Sequence, residues 1–166
     1  YIMSRDQRAH DNDALLKAQS FALKYKLPLA VVFCLMPKVG KRSREQYEWM
    51  LKGLHELEKE LSTFNIPFMM LLGDPKATLL GMVHHTNPAA IFFDMNPLRG
   101  PRALQRAIAQ AVTCPVLVVD THNIVPVWRV SQKQEYAART LRTKVQRLLP
   151  DYLAGPSRLK DHPHSW

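Results

Sequence analysis

The chain has 166 residues, of which 46% are hydrophobic and 22% are charged. This length supports one domain with a packed core, and the apolar fraction excludes a disordered chain. Lysine and arginine exceed aspartate and glutamate by nine, which favours an acidic partner such as nucleic acid, although such an excess also serves solubility alone.

Several classes of protein are excluded by what the sequence lacks. No apolar run has the length of a membrane span, and no signal peptide is visible, so we expect no membrane partner. The two cysteines, Cys34 and Cys114, fit reduced thiols rather than a disulfide framework. We therefore expect an intracellular protein, cytoplasmic or nuclear. The sequence indicates no oligomeric state.

The first dozen residues contain three apolar residues, Tyr1 to Met3, followed by a polar run that starts at Ser4. This pattern predicts the end of a β-strand, a loop at its carboxyl end, and a helix capped by Asp11 or Asn12. Three residues are too few for a central strand, and no methionine stands in front of them. We therefore expect the chain to begin inside an element and to be a piece of a longer protein.

Strand and helix patterns alternate five times along the chain. Strands are predicted at residues 1–3, 29–35, 68–72, 89–94 and 116–119, and helices at about 12–26, 43–63, 75–85 and from residue 100 onward. This alternation predicts an α/β fold, a doubly wound, Rossmann-like five-stranded parallel sheet with helices on both faces, in three layers. With the strand order 3-2-1-4-5, the winding reverses between strands one and four.

The pattern changes after Asp120. Residues 121–131 are predicted to be extended, and residues 132–149 are basic and predicted to be helical. Residues 150–166 contain several prolines and a glycine, which are typical of a linker that leads away from a domain. We therefore divide the chain into an α/β domain at 1–149 and the start of an interdomain linker at 150–166.

Common catalytic and nucleotide-binding motifs are absent. No glycine-rich loop follows the first strand, and neither a P-loop nor a nucleophile elbow is present. Asp120 and His122 lack a third ligand, and the adjacent His84 and His85 point about 100° apart on a helix. We expect no metal site and no catalytic residue in this chain.

The carboxyl ends of the strands are the predicted ligand site, because ligands of open parallel sheets bind where the winding reverses. Arg5 is predicted to meet an anionic or carbonyl group, and Asp94 to accept a hydrogen bond from a ring N–H. Alternatively, these two side chains pair with each other or cap neighbouring turns. The candidate cofactor-binding residues are Met3, Ser4, Arg5, Leu35, Asp94, Met95 and Asn96.

Residues 120–144, DTHNIVPVWRVSQKQEYAARTLRTK, resemble the end of the amino-terminal domain of class II DNA photolyases. The opening MSRDQR at residues 3–8, LLGDP at 71–75 and PLR at 97–99 resemble the same family, in the same order along the chain. The sequence departs from the family at Asp13, where a tryptophan is usual, and at Thr143, where a proline is usual.

The resemblance implies a protein that repairs cyclobutane pyrimidine dimers in DNA with light. It implies FAD, bound in a carboxyl-terminal helical domain that is absent from this chain. The expected partners of the chain are this flavin domain and, through the full-length protein, damaged DNA. It also implies an antenna chromophore of the deazaflavin type in the α/β domain. The alternatives are a stand-alone module that binds a nucleotide or flavin analogue, a cryptochrome-like fragment without lyase activity, and a remnant that binds nothing.

Overall fold

The computed structural model describes residues 1–37, 43–153, 155 and 157–166. Its strands form one parallel sheet with the order β3-β2-β1-β4-β5. The strands are β1 (Ile2–Met3), β2 (Val31–Leu35), β3 (Phe68–Leu72), β4 (Ile91–Asp94) and β5 (Val116–Val119). The predicted doubly wound α/β fold is confirmed, and the strand order is the one assumed in locating the reversal of the winding.

The helices that connect and follow these strands cover both faces of the sheet. They are α1 (Asp13–Tyr25), α2 (Arg44–Thr63), α3 (Pro75–Thr86), α4 (Arg99–Ala111), α5 (Val127–Val130) and α6 (Ala138–Tyr152). Among the described residues, no helix is both long enough and apolar enough to cross a bilayer.

Two hydrophobic clusters lie on opposite faces of the sheet, because successive side chains of a strand point to opposite sides. One cluster joins α1 and α2 to the sheet through residues such as Leu15 and Leu61. The other joins α3 and α4 to the sheet through Leu79 and Ile108. The chain therefore forms three layers, as the alternation of strands and helices predicts.

The central strand β1 positions the loop that follows it. Ile2 is in register with Val32 of β2 on one side and with Phe93 of β4 on the other. Asp94, the residue after Phe93, therefore lies beside the residues that follow Met3. This register brings the ends of β1 and β4 together, where the winding of the sheet reverses.

Helix starts follow the predicted capping signals. The Asn12 side chain accepts a hydrogen bond from the Leu15 N–H at 3.0 Å, so Asn12 rather than Asp11 caps α1. Ser43 and Gln46 form the capping box of α2, in which each side chain binds the other residue's backbone N–H.

Three segments differ from the sequence-based expectations. The extended segment 121–131 contains the short helix α5, whose start is held by Asp120. Helix α6 begins at Ala138 rather than at residue 132, and in the loop before it the Ser131 hydroxyl donates to the Glu135 carboxylate at 2.8 Å. It also continues past Pro150, which lies in the last turn and lacks the N–H that would bond to the Gln146 carbonyl.

The carboxyl-terminal tail packs against the domain instead of leading away from it. Leu159 and His162 are buried, and the His162 N–H donates to the Phe64 carbonyl at 2.8 Å. The buried Gln19 side chain donates to the Lys160 carbonyl at 2.6 Å and accepts from the Lys160 N–H at 3.0 Å. The prolines of the tail are compatible with this contact, because other residues of the tail form the hydrogen bonds to α1 and to the end of α2. The role of residues 150–166 as an interdomain linker stays a prediction.

Candidate functional site

The Asp94 carboxylate organises the loop that follows β1. Its Oδ2 atom accepts hydrogen bonds from the backbone N–H groups of Ser4, Arg5 and Asp6 at 3.1, 2.6 and 3.0 Å. The Ser4 hydroxyl donates to the same oxygen at 3.3 Å. Successive N–H groups that converge in this way form an anion-binding concavity, and Asp94 fills it from within the chain.

Asp94 therefore matches the alternative in which it caps a neighbouring turn. Its side chain is fully buried, and its Oδ1 atom has no hydrogen-bond partner in the described part of the chain. The Gln105 side chain of α4 donates to the Asp94 carbonyl at 3.0 Å and so fixes the end of β4 against the helix. A ligand at the carboxyl ends of the strands would therefore contact the loop after β1, because the Asp94 side chain is buried beneath that loop.

The other predicted site residues lie at the ends of β1, β2 and β4. Met3 is buried, whereas the side chains of Ser4 and Arg5 are exposed. Among the described residues, the Arg5 guanidinium makes no hydrogen bond and no ion pair, and only its backbone N–H contacts Asp94. Arg5 therefore has a free cationic group at the point where a ligand would approach.

Leu35, Met95 and Asn96 are half-buried and complete the predicted set. The Leu35 carbonyl accepts from the Gly73 N–H at 3.1 Å, and the Met95 N–H donates to the Val119 carbonyl at 2.7 Å. The Asn96 side chain accepts from the Leu98 N–H and stabilises the turn before α4. The structure thus brings Ser4 and Arg5 into contact with Asp94, while these three residues flank them from neighbouring strand ends.

A second polar cluster joins the ends of β1 and β5. The buried Asp6 carboxylate contacts the Arg8 guanidinium at 2.9 Å and the His122 Nδ1 atom at 3.4 Å through its Oδ1 atom. Arg8 also donates to the Thr121 carbonyl at 3.0 Å. The contact between Asp6 and His122 spans 116 residues of sequence, so no local pattern predicts it. Both residues follow the carboxyl end of a strand, and this shared position is the sequence signal from which their contact could have been predicted.

Asp120 shapes the loop after β5 in the way that Asp94 shapes the loop after β1. It is buried, and its carboxylate accepts from the N–H groups of His122, Asn123 and Val127 at 3.2, 3.2 and 2.9 Å. These bonds fold the start of the Asp-x-His-Asn segment into a turn and begin α5. The aspartate therefore has a structural task that accounts for its place in the motif.

Two ionisable side chains near the sheet, Tyr1 and Cys34, have raised pKa values. Burial raises the pKa of the Cys34 thiol to about 11, against a smaller lowering by the Thr78 hydroxyl. Burial, followed by the nearby Asp94 carboxylate, raises the pKa of the Tyr1 phenol well above its ordinary range. Both groups therefore stay protonated at neutral pH.

The polar and apolar side chains at this edge of the sheet are suited to binding a ligand. In the described part of the chain, no three histidine, cysteine, aspartate or glutamate side chains are grouped to hold a metal ion. The exposed Ser4 hydroxyl and Arg5 guanidinium can bind polar groups of a ligand, and Leu35 and Met95 offer apolar contacts.

Comparisons with known proteins match this chain over nearly its whole length. The family model for DNA photolyase matches residues 1–163. Deoxyribodipyrimidine photo-lyase from Potorous tridactylus is 43% identical over 169 residues, which cover 99% of this chain and 31% of that protein. Deoxyribodipyrimidine photo-lyase from Arabidopsis thaliana is 37% identical, covering 100% of this chain and 34% of that protein.

The same enzyme from Oryza sativa subsp. japonica is 38% identical over 92% of this chain and 31% of that protein. The chain thus spans about one third of the length of the curated relatives that it matches. The resemblance drawn from the sequence motifs is confirmed, and the chain belongs to the DNA photolyase family.

Proposed function

We propose that this chain is the amino-terminal α/β domain of a deoxyribodipyrimidine photo-lyase, which uses light to split cyclobutane pyrimidine dimers in DNA. The observation that carries the proposal is 43% identity across 99% of the chain with a protein of that name. The carboxyl ends of the strands offer groups for binding. We place the bond-breaking chemistry in the part of the protein outside this chain, as the resemblance to the family implies.

FAD is the proposed cofactor of that remaining part. When bound in its reduced form, FAD would supply the electron needed to open the dimer, and no residue of this chain is proposed to hold it. Damaged DNA is the proposed substrate, and a net charge of +9 on this chain favours an approach to its phosphates. An intracellular location, where DNA lies, follows from the same proposal.

The edge of the sheet is the proposed site of an antenna chromophore of the deazaflavin type. The fit rests on the free Arg5 guanidinium and the exposed Ser4 hydroxyl, which can bind polar ring substituents. Leu35, Met95 and Asn96 would contact the chromophore from the neighbouring strand ends.

Met3 and Asp94 lie beneath this site, and we propose that they position the residues that contact the chromophore. Both are buried, and Asp94 orients the loop that carries Ser4 and Arg5. An antenna needs a fixed distance and orientation to the flavin, and a loop held by four hydrogen bonds to one oxygen supplies a fixed support.

Identification of the bound chromophores in the purified full-length protein tests the proposal. We expect an absorbance spectrum with a flavin band, and denaturation should release FAD in about equal amount to the protein. A second band from a different chromophore would support the antenna site. A full-length protein that folds, accepts no FAD on reconstitution and shows no flavin band would contradict the proposed function.

A further inference from the structure

Helix α6 has an apolar side that this chain covers only in part. Fifteen residues form the helix, and none of its described side chains is buried. Leu141 is 41% exposed, and Val145 and Leu148 follow it at helical spacing, half-buried. An isolated helix of this length is marginal in water, and burial of an apolar side is what normally stabilises it.

Two grooves flank the exposed Trp128 beside this helix. One groove has a volume of about 540 Å³ and lies between α5 and α6, where Trp128, Val130 and Leu148 line it. The other has a volume of about 560 Å³ and lies against α4, with Val118 of β5 among its lining residues. We call these two grooves and the apolar side of α6 the Trp128 surface.

The charged residues that line the two grooves are all cationic. The grooves are lined by Arg102, Arg106, Arg129, Lys133, Lys144 and Arg147 and by no carboxylate of the described residues. Of these cations, Lys144 pairs with Glu135, and the other five make no ion pair within the described chain. A surface that covers the grooves therefore needs an apolar centre and carboxylates at its rim.

We propose that the Trp128 surface is the docking site for the part of the protein that lies outside this chain. The proposal rests on the proposed function and names the face through which the two parts meet. The relatives are about three times as long as this chain, so the absent part is large enough to cover both grooves and α6.

Two other occupants fit the surface less well. A second copy of the chain would place the cations of one copy against those of the other, which opposes association. A DNA backbone would satisfy the arginines but would leave Leu141, Val145 and Leu148 exposed to water, because phosphates and sugars offer little apolar area. A protein surface with both apolar and acidic groups satisfies both requirements.

Oxidative footprinting of the full-length protein, read by mass spectrometry in the dark and without DNA, tests the docking site. Trp49 on α2 is 82% exposed and is the internal control, whereas Trp128 is 43% exposed in this chain. Exposure alone would make Trp128 react at about half the rate of Trp49. Docking should slow Trp128 by roughly a further fivefold, because the centre of an interface excludes water.

Two substitutions on α6 separate docking from the stability of the helix. Leu148→Glu should restore rapid oxidation of Trp128, whereas Gln146→Glu, on the exposed side of α6, should leave it protected. If Leu148→Glu does not fold, the oxidation rate of Trp128 relative to Trp49 in the wild-type protein still tests the docking site.

Trp128 reacting at half the rate of Trp49 or faster would overturn the proposal. Protection that appears only after DNA is added would overturn it in favour of a nucleic-acid surface, and protection that disappears on dilution would overturn it in favour of a dimer. None of these readings depends on light or repair. A protected Trp128 in a protein without flavin or repair activity would therefore reject the proposed function and keep the docking site.

Discussion

Asp94 holds the loop after β1 more directly than any other described residue, since three backbone N–H groups and the Ser4 hydroxyl donate to one of its oxygens. Asp94→Ala should lower the free energy of unfolding by about 2–4 kcal/mol, because buried N–H groups lose a charged acceptor. Asp94→Asn keeps one acceptor oxygen and should cost about half as much. Denaturant unfolding of the full-length variants measures both values, and an alanine variant as stable as the wild type would reject this role.

Arg5 is the residue whose side chain is best placed to bind a ligand without supporting the fold. Arg5→Ala should lower antenna occupancy by roughly tenfold, as expected when a charged hydrogen bond is lost, while the flavin content stays unchanged. The ratio of the two absorbance bands in the full-length protein measures this effect. Arg158→Ala, which removes an exposed cation from the tail, is the control and should leave the ratio unchanged. Equal occupancy in both variants would remove Arg5 from the site.

At the scale of elements, the tail is held to α1 by the buried Gln19 side chain. Gln19→Ala should lower the free energy of unfolding by about 1–3 kcal/mol, because the Lys160 N–H and carbonyl lose their partners. The Lys160 side chain is exposed and only its backbone bonds to Gln19, so Lys160→Ala is a matched control that should change stability by less than about 0.5 kcal/mol. Limited proteolysis should cleave the tail faster in the Gln19 variant alone.

The loop before α6 carries a pH-dependent contact. Hydrogen bonds from Lys144, then Ser131 and Thr140, lower the pKa of Glu135 from its ordinary value to about 2. A lowered carboxyl pKa stabilises the folded state above the ordinary value of about 4.5, and this contribution is lost as the pH falls from there towards 2.

Glu135→Gln should therefore lower the thermal midpoint of the full-length protein slightly at neutral pH. The gap between wild type and variant should narrow as the pH falls below about 4.5, because the Glu135 carboxyl of the unfolded wild type takes up a proton there while the folded state stays ionised until about pH 2. Glu56→Gln, at an exposed position of α2, should show no comparable narrowing. A gap that stays constant across this range would show that Glu135 does not contribute through its charge.

At the scale of the whole molecule, the alternation of apolar runs and amphipathic helices predicted the parallel sheet, because each strand and helix carries its own local pattern. The strand order was an assumption, since local patterns do not determine which strands are neighbours. The capping residues of α2 were predictable for the same reason. The burial of the tail was not, since the Gln19–Lys160 contact joins residues 141 positions apart. The sequence placed Arg5 and Asp94 at adjacent strand ends, but whether Asp94 binds a ligand or the loop depended on backbone directions that only the structure provides.

The proposed function makes this chain one domain of an enzyme that repairs DNA with light. Its most direct test is the repair of an oligonucleotide with a single cyclobutane thymine dimer by the full-length protein carrying reduced FAD. We expect the dimer to be converted to two thymines under blue light, with no conversion in the dark. A folded, flavin-loaded protein that leaves the dimer intact under illumination would contradict the account.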